Sequence, residues 1–177
     1  MNIKILITGT PGSGKSTLIS RLMAYYTQKN YKIYGFITPE VRQNNKRKGF
    51  DVEDIYSKKK FPLARVDPHN TKFKLGKYSI FINEFEAYLD MALNIEKDII
   101  DLLIIDEIGK MELFSKKFQD LIKKFFQSEV SIIATIGQKV RHPIKDFILR
   151  IQNTTLLVLN RENREEVFQR VISLIDA

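Results

Sequence analysis

Cysteine is absent from the 177 residues, which together excludes a disulfide framework, thiolate metal sites and a nucleophilic cysteine. Histidine is scarce as well. Only His69 and His142 are present, too few imidazoles for a clustered zinc site, which takes roughly three or four N or S ligands. No apolar run approaches the ~18 residues of a membrane span, and the N-terminal apolar stretch breaks at Gly9, too short for the core of a signal peptide. These absences predict a cytosolic protein with no membrane span. Compositional extremes are missing too, since 44% of residues are apolar, 28% charged and 11% aromatic. That excludes wholesale disorder, leaves material for a sizeable core, and suits one domain over residues 1–177. Charge is the one imbalance: 29 Lys and Arg face 21 Asp and Glu, a formal +8. Nucleic acid, an acidic membrane surface or a polyanionic small molecule would each account for it.

The chain opens on the apolar run Ile3, Ile5, Leu6, Ile7 and then breaks into Gly9-Thr10-Pro11-Gly12-Ser13-Gly14. This is the pattern of a buried strand ending in a turn. Behind it, Leu18, Ile19, Leu22, Met23 and Tyr26 recur at helical spacing, predicting a helix over Lys15 to Gln28. A second strand is expected at Lys32 to Thr38, stopped by Pro39. From about 40 to 82 the texture changes to lysine clusters alternating with short apolar pieces, which predicts an antiparallel insertion at one edge of a sheet. Helical spacing returns at Phe85, Tyr88, Leu89, Ala92 and Ile95, followed by strand Leu102 to Ile105, a helix over Phe118 to Phe125, and strand Val130 to Ala134. Next come a helix opened by Pro143 and a last strand at Leu156 to Leu159. Asn163, with Glu166 three residues on, marks the start of a closing helix. Uninterrupted apolar strands flanked by helices indicate a largely parallel α/β sandwich.

Gly9-Thr10-Pro11-Gly12-Ser13-Gly14-Lys15-Ser16-Thr17 satisfies the G-x-x-x-x-G-K-[ST] pattern between a predicted strand and a predicted helix. Glycines let backbone N–H groups converge on phosphate oxygens, and the helix N-terminus adds its positive end. Lys15 then reaches the β and γ phosphates, and the Ser16 hydroxyl ligates Mg²⁺. The segment predicts a nucleoside triphosphate site whose Mg²⁺ arrives with the nucleotide.

Leu102-Leu103-Ile104-Ile105-Asp106-Glu107 is an apolar strand ending in two carboxylates. Asp106 has the placement of the strand-terminal acid that helps hold Mg²⁺, and Glu107 is placed to take a proton from an attacking water. A helix cap or a solvated loop acid is the plainer alternative for Glu107. Thr135, at the end of a further strand, is a candidate to reach the γ phosphate or that water. An arginine that meets the γ phosphoryl group is worth ~10³ to 10⁵ in rate. Arg42 is the first candidate, beside Glu40 just past the second strand, where ligands gather in open α/β sheets. Arg141, Arg161 and Arg164 are the others. Lysine runs 46–48 and 58–60 are expected to be solvated edge hairpins. Nucleic acid is the weaker reading for them, because no helix-turn-helix or RNP-type signature accompanies them.

The octet Asp106-Glu107-Ile108-Gly109-Lys110-Met111-Glu112-Leu113, with Gly35-Phe36-Ile37-Thr38-Pro39-Glu40-Val41-Arg42, Gly49-Phe50-Asp51-Val52 and Pro62-Leu63-Ala64-Arg65, resembles the THEP1-type nucleoside-triphosphatases, also called cancer-related nucleoside-triphosphatases. The likeness continues through Gly76-Lys77-Tyr78, Ala134-Thr135-Ile136 and Glu162-Asn163-Arg164, so it covers nearly the whole chain. It implies a RecA-like P-loop NTPase fold, a three-layer sandwich with a mostly parallel sheet and an antiparallel edge insertion. It also implies Mg²⁺-dependent hydrolysis of ATP, GTP and other nucleoside triphosphates with weak base selectivity. The implied nucleotide segments fall on Gly9 to Ser16 and on Leu103, Ile104, Ile105, Asp106, Glu107, Ile108, Gly109 and Lys110. Asn44-Asn45 departs from the family's glycine and arginine, but Asn tolerates the same left-handed turn.

A monomer is expected. Two rival readings stay open: a nucleotide or small-molecule kinase whose acceptor is held by Arg42 and the 40–80 segment, and a nucleotide-gated nucleic-acid binder. Phosphate release without an acceptor counts against the first. Salt-dependent oligonucleotide binding that nucleotide alters would support the second.

Overall fold

A computed structural model describes residues 2–66, 68–94 and 99–177. The strands are β1 (Lys4–Gly9), β2 (Ile33–Ile37), β3 (Glu40–Gln43), β4 (Lys46–Asp54), β5 (Lys60–Arg65), β6 (Phe73–Leu75), β7 (Tyr78–Ile80), β8 (Leu102–Ile108), β9 (Ser131–Gly137) and β10 (Thr154–Val158). The helices are α1 (Lys15–Gln28), α2 (Ile82–Ala92), α3 (Lys116–Phe126), α4 (Pro143–Arg150) and α5 (Arg164–Ile175), with one 3₁₀ turn at Glu112–Phe114. Ile95, which its spacing assigns to the second helix, lies outside the described residues.

Among the described residues the strands form one sheet in the order β10-β1-β9-β8-β2-β4-β5-β7-β6, with β3 paired to β4. The five strands from β10 to β2 run parallel. From β2 outward every pairing is antiparallel, so residues 40–80 extend the sheet at one edge as expected. Asn44 and Asn45 make the β3–β4 turn at φ 49 and 59, the left-handed geometry that asparagine tolerates.

Period-two alternation sorts the parallel strands onto two cores. Ile5, Ile7, Leu102, Ile104 and Ile133 face α1 and α5, meeting Leu18, Ile19, Leu22, Val167, Phe168 and Val171. Leu6, Phe36, Leu103, Ile105, Ile132 and Ala134 face the other layer, against Phe85, Phe118, Ile122, Ile144 and Ile148. Helices on both faces of the parallel strands make the three-layer sandwich, and the C-terminal ends of those strands form one rim.

Local chemistry sets the helix starts. The Ser115 hydroxyl accepts from the Phe118 N–H at 3.0 Å, and His142 Nδ1 accepts from the Ile144 N–H at 3.1 Å with Pro143 in the first turn. Asn163 does occupy the N-cap position of α5, but its side chain does not cap. Its Oδ1 accepts from the Asn160 N–H at 2.8 Å and its Nδ2 donates to the Val158 carbonyl at 2.9 Å, so it closes the loop behind it instead. One lysine is not at the surface at all. Lys4 is 1% exposed, and its ammonium donates to the carbonyls of Ser128 and Val130, which satisfy the buried charge. No described helix is long and apolar enough to cross a membrane.

Phe36 lies at the centre of an aromatic cluster, with ring centroids 5.7 Å from Phe85, 5.9 Å from Tyr88 and 5.8 Å from Phe118. It is fully buried on β2, the strand that leads into Thr38 at the rim. Phe36→Ala is therefore expected to lower unfolding stability by about 3–5 kcal/mol in urea titration. A loss below about 1 kcal/mol would mean that this cluster does not hold β2 in place.

Candidate active site

β1 delivers Gly9 to the rim, and the chain then turns through Thr10–Gly14 into α1. Gly12 and Gly14 have φ of +77 and +105, conformations that side chains rarely adopt. Gly14 caps α1 with no side-chain hydrogen bond, so the first N–H groups of a 14-residue helix face the loop. Such an end favours an anion through its free donors and its dipole. Lys15 Nζ folds back over the loop, donating to the Gly9 carbonyl at 3.0 Å and the Thr10 carbonyl at 3.3 Å. Arg164, from the start of α5, braces the loop with Nε on the Ser13 carbonyl at 2.8 Å.

The acidic pair sits where β8 leaves regular pairing. Ile105 pairs with Ala134 and Ile108 with Ile136, so β8 carries one extra residue across Asp106 and Glu107. The bulge re-aims both carboxylates toward the rim; the peptide bond between them is cis. Thr38, just past β2, donates its hydroxyl to the Asp106 carbonyl at 2.9 Å and ties the two strand ends together.

Gly109 follows, with little room over it. A Cβ on Gly109 would lie 2.5 Å from Glu112 Oε2 and 2.9 Å from Glu107 Oε1, so two carboxylates close over its bare Cα. Burial and the neighbouring Asp106 charge raise the Glu107 pKa, while Lys15 pulls it down. Glu112 is 3% exposed, and burial together with Glu107 and Asp106 pushes its pKa up to about 8, although the backbone N–H groups of Glu112 and Gly109 oppose the shift.

These elements enclose a cleft of about 680 Å³. Gly9, Pro11, Gly12, Gly14, Lys15, Ser16 and Thr17 line one side, with Asp106, Glu107, Lys110 and Glu112 at the floor. The insertion supplies the opposite wall through Glu40, Arg47, Phe50 and Leu75. The donors suit a hard cation shared with a phosphate, because the Ser16 hydroxyl and the Asp106 carboxylate line one cavity. Among the described residues no group of three or more acidic or imidazole side chains would hold a metal unaided.

Several expected site residues lie elsewhere. Leu103, Ile104, Ile105 and Ile108 are buried in the body of β8 and serve as its frame. Thr135 is fully buried, and its hydroxyl donates to Asp106 Oδ1 at 2.6 Å. It holds the carboxylate and does not turn to the cleft. Arg42 does not line the cleft either, because its Nε donates to Glu40 Oε2 at 2.8 Å and an Nη to the Asn45 carbonyl at 3.1 Å. Arg141 opens onto a smaller neighbouring cavity with Lys110 and His142. Arg47 and Glu112 are the residues that sequence reasoning missed. Glu112 is part of the quoted octet but carries no spacing signal, and Arg47 is hidden in a run of solvated lysines.

A family model described as NTPase matches residues 4–172. The nucleoside-triphosphatase THEP1 of Methanothermobacter thermautotrophicus is 36% identical over 173 residues, covering 98% of this chain and 96% of its own. That of Aquifex aeolicus is 35% identical over 185 residues, covering 98% and 99%. The crystal structure of Aquifex aeolicus THEP1 superposes with a TM-score of 0.83, covering 99% of this chain and all of that one. The solution structure of a human cancer-related nucleoside triphosphatase superposes with a TM-score of 0.81 at 28% identity, covering 98% and 97%. With the family model and full-length relatives in agreement, the chain belongs to the THEP1 family of P-loop NTPases.

Proposed function

We propose that this protein is a Mg²⁺-dependent nucleoside-triphosphatase that hydrolyses ATP, GTP and other nucleoside triphosphates to the diphosphate and phosphate. The observation that carries the reading is a single cleft in which the glycine loop faces two strand-end carboxylates, Asp106 and Glu107. The names of its relatives, nucleoside-triphosphatases, support the same reaction.

In this reading the triphosphate lies along the loop, and Lys15 exchanges the Gly9 and Thr10 carbonyls for phosphate oxygens. Ser16 and Asp106 would hold the Mg²⁺, which would supply neutralisation of the charge developing on the phosphates. Thr135 fixes the Asp106 carboxylate for that task, as outer partners of metal ligands do. Glu107 takes the proton of the attacking water, and Glu112 stands behind it across Gly109. As a carboxylic acid, Glu112 adds no further negative charge to the floor.

Three outcomes test these roles. Glu107→Gln should bind nucleotide as the wild type does while losing about 10²–10⁴ in turnover, whereas Lys15→Ala should lose both. Wild-type phosphate release by Glu107→Gln would show that another group is the base. Thr135→Val should raise the Mg²⁺ concentration needed for half-maximal activity by about 10–100-fold, read from a metal titration of phosphate release. Glu112 binds a proton in the folded state across the window from its ordinary pKa near 4.5 to about 8. Stability from that proton is complete below the window and is lost as pH rises through it, by an amount on the order of 5 kcal/mol. Glu112→Gln should flatten that fall in urea midpoints between pH 5 and 8, and an unchanged slope would contradict the assignment.

A further inference from the structure

Hydrolysis spreads charge over the oxygens of the γ phosphoryl group, and an arginine that reaches those oxygens stabilises it. We infer that Arg47 is the arginine that meets this charge, supplied within the same chain by the antiparallel insertion and parked on Glu40 between turnovers. The inference rests on the hydrolase reading of the cleft.

Placement selects it. Among the described residues two arginines line the cleft, Arg47 and Arg164. Arg164 is engaged by the loop itself, with Nε on the Ser13 carbonyl and an Nη 3.5 Å from the Gly12 carbonyl. Arg47 projects from β4 on the opposite wall, beyond the strand ends that carry Thr38, Asp106 and Glu107. It lines the same cleft as Lys15, Asp106 and Glu107, from the side of the insertion.

The parking contact suits a residue that must move. Arg47 pairs with Glu40 Oε1 and stands 5.5 Å over the Phe50 ring, yet its side chain is 44% exposed. An ion pair that open to water is worth little, so exchanging Glu40 for phosphate oxygens is a small step. Glu40 is not abandoned by the exchange. Its other oxygen keeps the Arg42 guanidinium at 2.8 Å, so one carboxylate serves two arginines and can release one. Arg42 thus becomes a positioning residue, and Arg47 the catalytic one.

The full-length protein carrying Arg47→Gln or Arg47→Lys provides the test. Phosphate release gives kcat and KM, and calorimetry gives the affinity for ADP with Mg²⁺, with and without aluminium fluoride, which mimics the transferred phosphoryl group. The expected result is a kcat lowered about 10²-fold or more, KM within about threefold of wild type, ADP affinity unchanged, and loss of the tightening by fluoride. Lysine should not restore the rate, since it lacks the planar fork. A purely structural Arg47 would change urea midpoints but leave the fluoride effect intact. If kcat stays within about twofold of wild type, or if only KM moves, the inference is overturned. An active wild type with an equally active Arg47→Gln sinks this inference alone. A wild type that releases no phosphate from any triphosphate sinks the hydrolase reading and this inference with it.

Discussion

Crowding of carboxylates at the end of β8 is the constraint on which the rest of the site depends. Glu107 and Glu112 close over Gly109 with Asp106 next in the chain, and Lys15 is the cation that opposes the charge of Glu107. Like charges at this spacing resist joint ionisation, and Glu112 accommodates the crowding by holding its proton up to about pH 8. The remaining negative charge suits a divalent cation bound to phosphate. Every nearby element answers to that demand. The β8 bulge aims the pair, Thr135 of β9 fixes one carboxylate, and Thr38 locks the strand end to β2.

The insertion gives the cleft its second wall. β4 pairs with β2 along the edge of the parallel core, so the chain that leaves β2 at Ile37 returns over the rim. Glu40, Arg47, Phe50 and Leu75 reach the cleft by this route. A parallel core with the same loop but no insertion would leave the terminal phosphate open to solvent on that side. The positive charge of the chain acquires a location here, although Lys4 shows that one of its lysines is spent inside the core.

Much of this was legible in the residue pattern, for identifiable reasons. α1 occupies Lys15–Gln28 as its spacing predicts, and the antiparallel character of residues 40–80 follows from short apolar pieces broken by turns. The glycine loop is readable because only glycine serves its backbone at Gly12 and Gly14. What escaped was side-chain direction. The residue pattern ends a strand at Thr135, but β9 runs on to Gly137, and its register against β8 points the Thr135 hydroxyl at Asp106. Asn163 is at a helix start, yet the loop behind it claims its amide. Arg42 and Arg47 are paired across β3 and β4, and no local pattern says which of the two enters the cleft. Such choices are made by register and packing between distant segments, so they are absent from any short window of sequence.

The central claim is that loop and acidic pair form a metal-assisted hydrolytic site. Phosphate release from ATP and GTP with no acceptor present, first with Mg²⁺ and then with EDTA, tests it most directly. Release from both nucleotides with Mg²⁺, and none above background with EDTA, is expected. Equal release in EDTA, or no release until an acceptor is added, would contradict it.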